Sequence, residues 1–301
     1  MNNQLKGYLL AFLSVIAVSN VYIFSKAALN EVSLAQFGTY WFGFGLIWLI
    51  MFGLKNKSFA IIKLFKRKQF LLLFTLGSIE LIATTFFFKS IQTISNPAIT
   101  SFLGNISPVF VLTLSFVFLK ERLNNLEILG VTIALSGAFI IGYKGGTNLT
   151  DMFIDGSQYI VYSTFLFSTV SVLSKRYIIE LSPLLIALNR TIFLFIFSLI
   201  IMYYEHQSFN ISSYALRSLF IGSILGPFLT AVTGLLALQY IDLSKKSIIS
   251  STKSLFVLLG AYLYFGQFPK TYEIFGGILS ITGVLLIILG KIRLKKKENY
   301  K

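Results

Sequence analysis

Three charged residues lie inside apolar stretches that are long enough to cross a membrane. Glu80 stands in LGSIELIATT, Lys253 in SSTKSLF, and Arg190 about seven residues inside a third stretch. A charge at the centre of a membrane helix costs at least about 2.5–3.5 kcal/mol, so such residues usually bind a substrate or move a proton. Structural alternatives remain open: Glu80 and Lys253 could form a buried ion pair, and Arg190 could extend to the membrane interface instead of serving as a fixed cation for a carboxylate.

Three uncharged residues are further candidates for the same site. Ser251 belongs to a serine-rich stretch around Lys253, and such a stretch is typical of the wall of an aqueous cavity. Asn105 precedes Ser251 by 146 positions and could be either a ligand or an interhelical hydrogen-bond partner. Trp41 is a candidate for the pocket wall, although contacts with lipid explain most aromatic residues in apolar stretches.

The sequence lacks the residue patterns of common catalytic and metal sites. It has no cysteine and one histidine, His206, so it offers neither thiolate chemistry nor a histidine metal cluster. We find no glycine-rich phosphate loop and no catalytic triad, and there are only 11 Asp and Glu residues. We therefore predict that the protein is not an enzyme and uses no cofactor and no metal.

The composition predicts that lipid surrounds this protein. Of its 301 residues, 55% are hydrophobic and 12% are charged, and the charged share is about half that of a soluble domain. One crossing takes about 20 residues, which leaves room for about ten helices. The apolar stretches predict helices near 7–28, 34–54, 69–91, 96–118, 125–143, 157–174, 184–204, 214–236, 244–265 and 272–291.

The positive charges fall mainly on one side of these predicted helices. With the N-terminus inside, 19 of the 26 Lys and Arg residues lie in cytoplasmic segments, chiefly the 55–68 loop and the tail. This bias predicts a multi-pass protein of the cell membrane, inner or plasma, with both termini in the cytoplasm. Orientation and attraction to anionic lipid account for the net charge of +15, so no nucleic-acid partner is expected.

The chain also contains an internal repeat. Residues 101–137 and 247–283 align without a gap, and eight of the 37 pairs are identical. Identical pairs include Phe110-Val111-Leu112 with Phe256-Val257-Leu258, Glu127 with Glu273, Gly130 with Gly276, and Gly137 with Gly283. Five crossings separate equivalent helices, so the two copies enter the membrane in opposite directions. The predicted fold is an all-α integral membrane protein of about ten transmembrane helices, arranged as two inverted five-helix repeats, residues 1–146 and 147–301.

With this repeat, the chain resembles the EamA-like branch of the drug/metabolite transporter superfamily, as two tandem units over almost its whole length. The matching residues are Asn20, Lys26, Ser107-Pro108, Glu121-Arg122-Leu123, Gly130 and Gly137 in the first half, and Arg190, Leu243-Ser244-Lys245, Gly266, Gly276 and Gly283 in the second. The chain departs from the family pattern at Trp41, Lys253, Ser254 and Gln267. The resemblance implies a carrier driven by protons or another gradient, often an exporter of amino acids or other small metabolites.

These observations predict a secondary transporter that exports a small metabolite, an amino acid or related amphipathic compound, by alternating access. Its expected partners are the small-molecule substrate, the lipid bilayer and a coupling proton that Glu80 could carry. The alternative is a membrane-embedded enzyme that acts on a lipid-linked substrate, which would need convergent acids, histidines or a metal site. A pore is a third class, but it would favour rings of charge, and none recurs between the halves.

Overall fold

The computed structural model describes residues 3–56, 58–59, 65–119, 124–144, 153–242, 246 and 249–298. Two motifs of the family resemblance, Glu121-Arg122-Leu123 and Leu243-Ser244-Lys245, lie outside the described residues. Within the described part of the chain the regular structure is helical, apart from one isolated bridge between Tyr143 and Phe153.

Most of the described chain is organised in long helices. In chain order they are α1 (Asn3–Leu29), α2 (Leu34–Lys55), α3 (Arg67–Thr93), α4 (Pro97–Leu103), α5 (Ser107–Leu119), α6 (Asn125–Gly142), α7 (Ser157–Leu181), α8 (Pro183–Tyr204), α9 (Ser213–Ser223), α10 (Ala231–Tyr240), α11 (Lys253–Phe265) and α12 (Thr271–Glu298). A 3-10 turn, Gly104–Ile106, joins α4 to α5, and a π-helical segment, Ile224–Thr230, joins α9 to α10.

The described helices include seven spans that are long and apolar enough to cross a membrane, counting α4–α5 and α9–α10 as one span each. Ile249–Phe265 and Thr271–Ile287 are shorter apolar helices. Large apolar side chains on these helices are exposed, for example Leu71 at 66% and Leu263 at 72%. Lipid accommodates such a surface, and helices satisfy their own backbone hydrogen bonds there. The chain is therefore built to cross a membrane several times.

Two of the predicted helices are interrupted near proline residues. The helix predicted over 96–118 is broken by the turn Gly104–Ile106, which comes directly before Ser107-Pro108. A proline ring clashes with the carbonyl four residues earlier and offers no N–H, so the α-helical pattern shifts there. The helix predicted over 214–236 likewise contains the π-helical segment around Pro227. Both interruptions matter below, because they border the same cavity.

The helix predicted over 157–174 is longer than expected. It continues to Leu181, so Lys175 and Arg176 lie inside α7 and not in a cytoplasmic loop. The Lys175 Nζ donates hydrogen bonds to the carbonyl oxygens of Leu238 at 2.5 Å and Ile241 at 3.2 Å. These carbonyls belong to the C-terminal end of α10, where a helix leaves acceptors unpaired and a cation is favourable.

Lys26 makes the equivalent contact in the first half of the chain. It is only 6% exposed, and its Nζ donates to the carbonyl oxygens of Ile91 at 3.0 Å, Gln92 at 3.1 Å and Ile94 at 2.8 Å. These acceptors end α3, as the acceptors of Lys175 end α10. Each half of the chain thus uses one lysine to join its first helix to the end of its third.

The glutamates that recur in the repeat lie in the first turns of α6 and α12. Glu127 Oε2 accepts a hydrogen bond from the Asn124 backbone N–H at 2.8 Å, and the Asn124 side chain caps Glu127 in return. Glu273 Oε2 accepts from the Lys270 backbone N–H at 2.6 Å. Both glutamates are buried. Their role is to satisfy the first N–H groups of a helix, which explains why both copies retain them.

The recurring glycines allow α6 and α12 to pack backbone against backbone. A Cβ on Gly137 would lie 2.5 Å from the Gly276 carbonyl oxygen, and a Cβ on Gly130 would lie 2.6 Å from that of Gly283. The residue numbers rise on one helix as they fall on the other, so the two helices are antiparallel. Such close approach between membrane helices depends on residues without bulky side chains.

Candidate functional site

A cavity of about 230 Å³ lies among helices from both halves of the chain. Side chains of α1, α2, α3, α5, α7, α8 and α11 line it, and the two irregular segments between α4 and α5 and between α9 and α10 border it. Backbone that leaves the α-helical pattern inside a membrane is tolerated where it lines a cavity. The polar lining includes Tyr22, Ser163, Thr164, Arg190, Thr230 and Lys253.

Lys253 enters the cavity from the N-terminal end of α11. Its Nζ lies 3.8 Å from the position that a Cβ on Gly104 would occupy, so the ammonium group lies beside the 3-10 turn. The Lys253 carbonyl oxygen accepts from Ser19 Oγ at 3.2 Å, and Ser254 Oγ donates to the Ser101 carbonyl oxygen at 3.0 Å. These hydrogen bonds fix the first turn of α11 against α1 and α4. Among the described residues, no hydrogen bond or salt bridge reaches the Lys253 Nζ.

Arg190 supplies a second cation to the same cavity. Its guanidinium carbon lies 5.8 Å from the centre of the Phe167 ring, a distance at which a cation is attracted to an aromatic face. Its Nε is buried and has no hydrogen-bond partner in the described chain. This position fits a fixed cation in a binding site, which was one of the two alternatives for Arg190.

Glu80 lies near Arg190 and not among the described residues that line the cavity. It is 7% exposed, and its Oε2 is buried without a hydrogen-bond partner among the described residues. The charge that acts on it is that of Arg190. The ion pair between Glu80 and Lys253 that the sequence left open is not formed between these described side chains. Among the described side chains, Glu80 therefore lies within electrostatic range of Arg190 without forming a salt bridge with it, and Lys253 has no acidic salt-bridge partner.

Trp41 forms part of the cavity wall and is only 1% exposed. Its ring stacks on Phe37 with centroids 4.8 Å apart and meets the edge of Phe88 at 5.8 Å. A Cβ on Gly222 would lie 2.0 Å from the indole, so the ring rests directly on the backbone of α9. Phe37, Phe88 and the backbone at Gly222 therefore hold the Trp41 ring in place at the cavity wall.

Asn105 and Ser251 are buried, at 1% and 3% exposure, and neither is among the described lining residues. Asn105 lies in the 3-10 turn directly after the lining residue Gly104. Neither polar atom of its side chain has a hydrogen-bond partner within the described chain. In this conformation Asn105 thus makes no interhelical hydrogen bond.

Sequence reasoning missed five polar residues of the lining. Tyr22 comes from α1, Ser107 from α5, Ser163 and Thr164 from α7, and Thr230 from the π-helical segment. The hydroxyl oxygens of Ser163 and Thr230 are buried and have no hydrogen-bond partner among the described residues. Hydroxyl side chains are common in membrane helices, where they usually bond their own backbone. Residue type alone therefore carried no signal that these hydroxyls were available.

The described residues contain no group of three or more His, Cys, Asp or Glu side chains that could hold a metal ion. The cavity instead combines two cations, unpaired hydroxyls and aromatic rings. These groups can hold a small solute by charge, hydrogen bonds and apolar contact.

The sequence pattern of the EamA-like transporter family matches residues 5–143 and again residues 155–289. An uncharacterized transporter of Synechocystis sp. is 24% identical over 245 residues, which are 78% of this chain and 70% of that protein. A protein of Streptantibioticus cattleyicolor, named a probable terminal-alkyne amino-acid exporter, is 28% identical over 194 residues, 62% of either chain.

A solved crystal structure resembles this fold over nearly the whole chain. It covers 96% of this chain and 98% of its own, with a TM-score of 0.68 and 16% identity. At that identity the likeness concerns the fold alone.

Proposed function

This chain belongs to the EamA-like transporter family, and on that premise we propose that it is a secondary transporter that carries a small metabolite through its central cavity by alternating access. The cavity is the observation that carries the proposal. Helices of both halves surround it, and two interrupted helices border it. Secondary transporters commonly place their substrate between two repeats, at helices that are broken in this way.

The proposed substrate is an amino acid or related amphipathic compound, and the proposed direction is export. The name of the Streptantibioticus relative supports both. The lining, which is cationic on some sides and aromatic on others, supports an amphipathic solute. The cavity of about 230 Å³ is smaller than the roughly 300–1,000 Å³ of pockets that hold drug-sized ligands. That size suits a small metabolite better than a lipid-linked substrate, so the membrane-embedded enzyme is the weaker proposal.

We further propose ten crossings in two inverted repeats, residues 1–146 and 147–301. Equivalent helices begin at the same spacing, since α5 and α11 start at Ser107 and Lys253, and α6 and α12 at Asn125 and Thr271. The antiparallel packing of α6 on α12 and the two separate family matches also support this layout. In it, α7 and the two shorter apolar helices cross the membrane beside the seven longer spans.

The proposed location is the cell membrane, with both termini in the cytoplasm. The support is the distribution of positive charge, because 17 of 26 Lys and Arg residues then lie in cytoplasmic segments even when Lys175 and Arg176, which lie inside α7, are left out.

Glu80 is the proposed carrier of a coupling proton. A buried carboxyl group with one unpaired oxygen, close to a single cation, can exist with or without its proton as that cation moves.

The test compares two tryptophans of α2 in the full-length protein. Trp41 lines the cavity, whereas Trp48 donates from its Nε1 to Ser223 Oγ at 3.1 Å and is not among the described lining residues. Purified wild-type protein is screened for thermal stabilisation by a panel of amino acids, small carboxylates, amines and nucleotide sugars. Hits are then tested for uptake into proteoliposomes under an imposed gradient.

We expect a hit at about 100 times its Kd to stabilise the fold by about 2.7 kcal/mol. Trp41→Ala should lose this stabilisation and the transport, and Trp48→Ala should keep both. Unchanged transport by a folded Trp41→Ala protein would place the substrate elsewhere. If no compound of the panel moves across the proteoliposome membrane, the transporter proposal fails.

A further inference from the structure

We infer that the central cavity selects small organic anions over zwitterions and cations, with Lys253 and Arg190 holding the anionic group. This inference rests on the proposed function, because it names the class of solute that the same cavity takes.

The charges around the cavity are unequal. Lys253 and Arg190 both line it, and the described lining contains no Asp or Glu. Glu80 is the acidic side chain within electrostatic range of Arg190, but it is not one of the described lining residues. Even with Glu80 ionised, these three side chains together carry one positive charge. A solute with one negative charge brings the site to neutrality.

The excess charge is assigned to Lys253, because the charge of Glu80 acts on Arg190. The Lys253 ammonium group makes no hydrogen bond or salt bridge with any described residue, although a cation inside a membrane protein is normally paired. Water can accept hydrogen bonds from the ammonium group but does not neutralise its charge. A carboxylate does both, and it accepts the short charge-assisted hydrogen bonds that lysine and arginine donate.

Arg190 is placed to share the same carboxylate. Its guanidinium lies against the Phe167 ring, and its Nε has no partner among the described residues. A guanidinium group presents parallel N–H donors that match the two oxygens of a carboxylate, which a lysine cannot do alone. Arg190 can therefore donate to both oxygens of a carboxylate, while Lys253 donates a further hydrogen bond to the same group.

The rest of the lining determines the chemistry of the uncharged part of the anion. Trp41, Phe87 and Phe88 form an apolar wall, so the remainder of the solute is hydrophobic. The Ser163 and Thr230 hydroxyls lack partners within the described chain and can each bond one polar substituent. The chemical class is thus a small carboxylate with an apolar or aromatic body.

A zwitterionic amino acid fits this lining less well. Its ammonium group would be a third positive charge beside Lys253 and Arg190, and no described lining residue is acidic. Like charges at short range in a medium of low dielectric constant repel strongly. We therefore expect the affinity to fall from anion to zwitterion and again from zwitterion to cation.

Three probes of similar shape test this order: 3-phenylpropionate, phenylalanine and phenethylamine, which are an anion, a zwitterion and a cation with the same ring. The full-length protein is purified in detergent at neutral pH, and the Kd of each probe is obtained from its thermal stabilisation. We expect 3-phenylpropionate to bind at least about 10-fold more tightly than phenylalanine, a difference of about 1.4 kcal/mol. Phenethylamine should give no shift.

Variants then connect the selectivity to the two cations. Lys253→Met and Arg190→Gln should each weaken 3-phenylpropionate binding at least 10-fold, and Lys253→Arg should retain binding. Lys144→Met is the matched control, because Lys144 pairs with Asp155 at 3.1 Å with its side chain 41% exposed, outside the cavity. It should bind the anion like the wild type. The probe order in the wild-type protein tests the inference even if Lys253→Met does not fold.

Equal binding of the three probes would overturn the anion site, and so would tighter binding of phenylalanine. Unchanged anion binding by a folded Lys253→Met protein would remove Lys253 from the site. If none of the probes shifts the melting temperature, the anion site is also refuted. In each of these cases the proteoliposome assay still decides separately whether the protein is a transporter.

Discussion

Glu80 stands at the centre of α3, 13 residues from Arg67 at one end and from Thr93 at the other, about 20 Å along the helix in each direction. A carboxyl group at such depth needs a partner or a proton. Its depth is evident from the sequence, but its partner is not. In the structure Glu80 lies within electrostatic range of Arg190 on α8, and it forms no salt bridge with Lys253 at the start of α11 among the described side chains.

A double-mutant cycle distinguishes these two partners. We expect Glu80→Gln and Arg190→Gln to be coupled by about 1–3 kcal/mol, because residues that share a charge interaction are not additive. Glu80→Gln and Lys253→Met should be additive within about 0.5 kcal/mol. The measurement is the free energy of unfolding in detergent. The same single substitutions, Glu80→Gln and Lys253→Met, should each abolish transport in proteoliposomes.

The opposite result would restore the ion pair that the sequence left open. Strong coupling between Glu80 and Lys253, with none to Arg190, would mean that the two side chains meet in another conformation. Transport at the wild-type rate by either single variant would remove that residue from the mechanism.

At the scale of the helices, α6 and α12 join the two halves of the chain, and they are in direct main-chain contact at their glycines. Gly137 is the most demanding position on α6, because its nearest atoms are the Gly276 carbonyl oxygen and the Ser280 nitrogen, both at 2.5 Å from an added Cβ. These are main-chain atoms, so they cannot rotate away as the end of a side chain could.

Gly137→Ala should therefore destabilise the protein by about 1–3 kcal/mol, the usual cost of overpacking. Gly142, on the same helix, is the matched control, since the nearest atom to its added Cβ is a Phe153 ring carbon at 3.5 Å. Gly142→Ala should leave the melting temperature almost unchanged. The check is the midpoint of thermal unfolding in detergent, and equal midpoints for the two variants would contradict the close packing.

At the scale of the whole molecule, the inverted-repeat proposal predicts on which side of the membrane each loop and terminus lies. Reporter fusions after residue 62 and at the C-terminus should be cytoplasmic, and fusions after residues 148 and 208 should be external. The reason is that most positive charge then stays inside, which insertion favours. The measurement is the activity of paired reporters, one active only in the cytoplasm and one only outside. An odd number of crossings, or two halves with the same orientation, would contradict the proposal.

The broad architecture follows from the sequence, because hydropathy and charge are local properties. A long apolar run predicts a membrane helix whatever its neighbours are, and the ends predicted for α2 and α6 agree with the structure to about one residue. The repeat spacing is equally local, since it only compares letters. The glutamates and glycines that revealed it have a physical reason in the caps of α6 and α12 and in their close packing.

The candidate site was only partly predictable. Depth within an apolar run identified Lys253 and Arg190, and both line the cavity. Asn105 and Ser251, which the same reasoning selected, are buried but are not among its described lining residues. A position along a helix states how deep a side chain lies, but the direction in which it points depends on the rotation of that helix against its neighbours.

Tertiary structure alone decided which distant residues meet. Lys175 donates hydrogen bonds to the end of α10, and Glu80 lies within electrostatic range of Arg190. Such pairings depend on which helices are neighbours in space, and helices of similar apolar composition can pack in many orders. The sequence alone determines which charges are buried and therefore destabilising, but only the packing of the helices determines which group lies near each of them and offsets that cost.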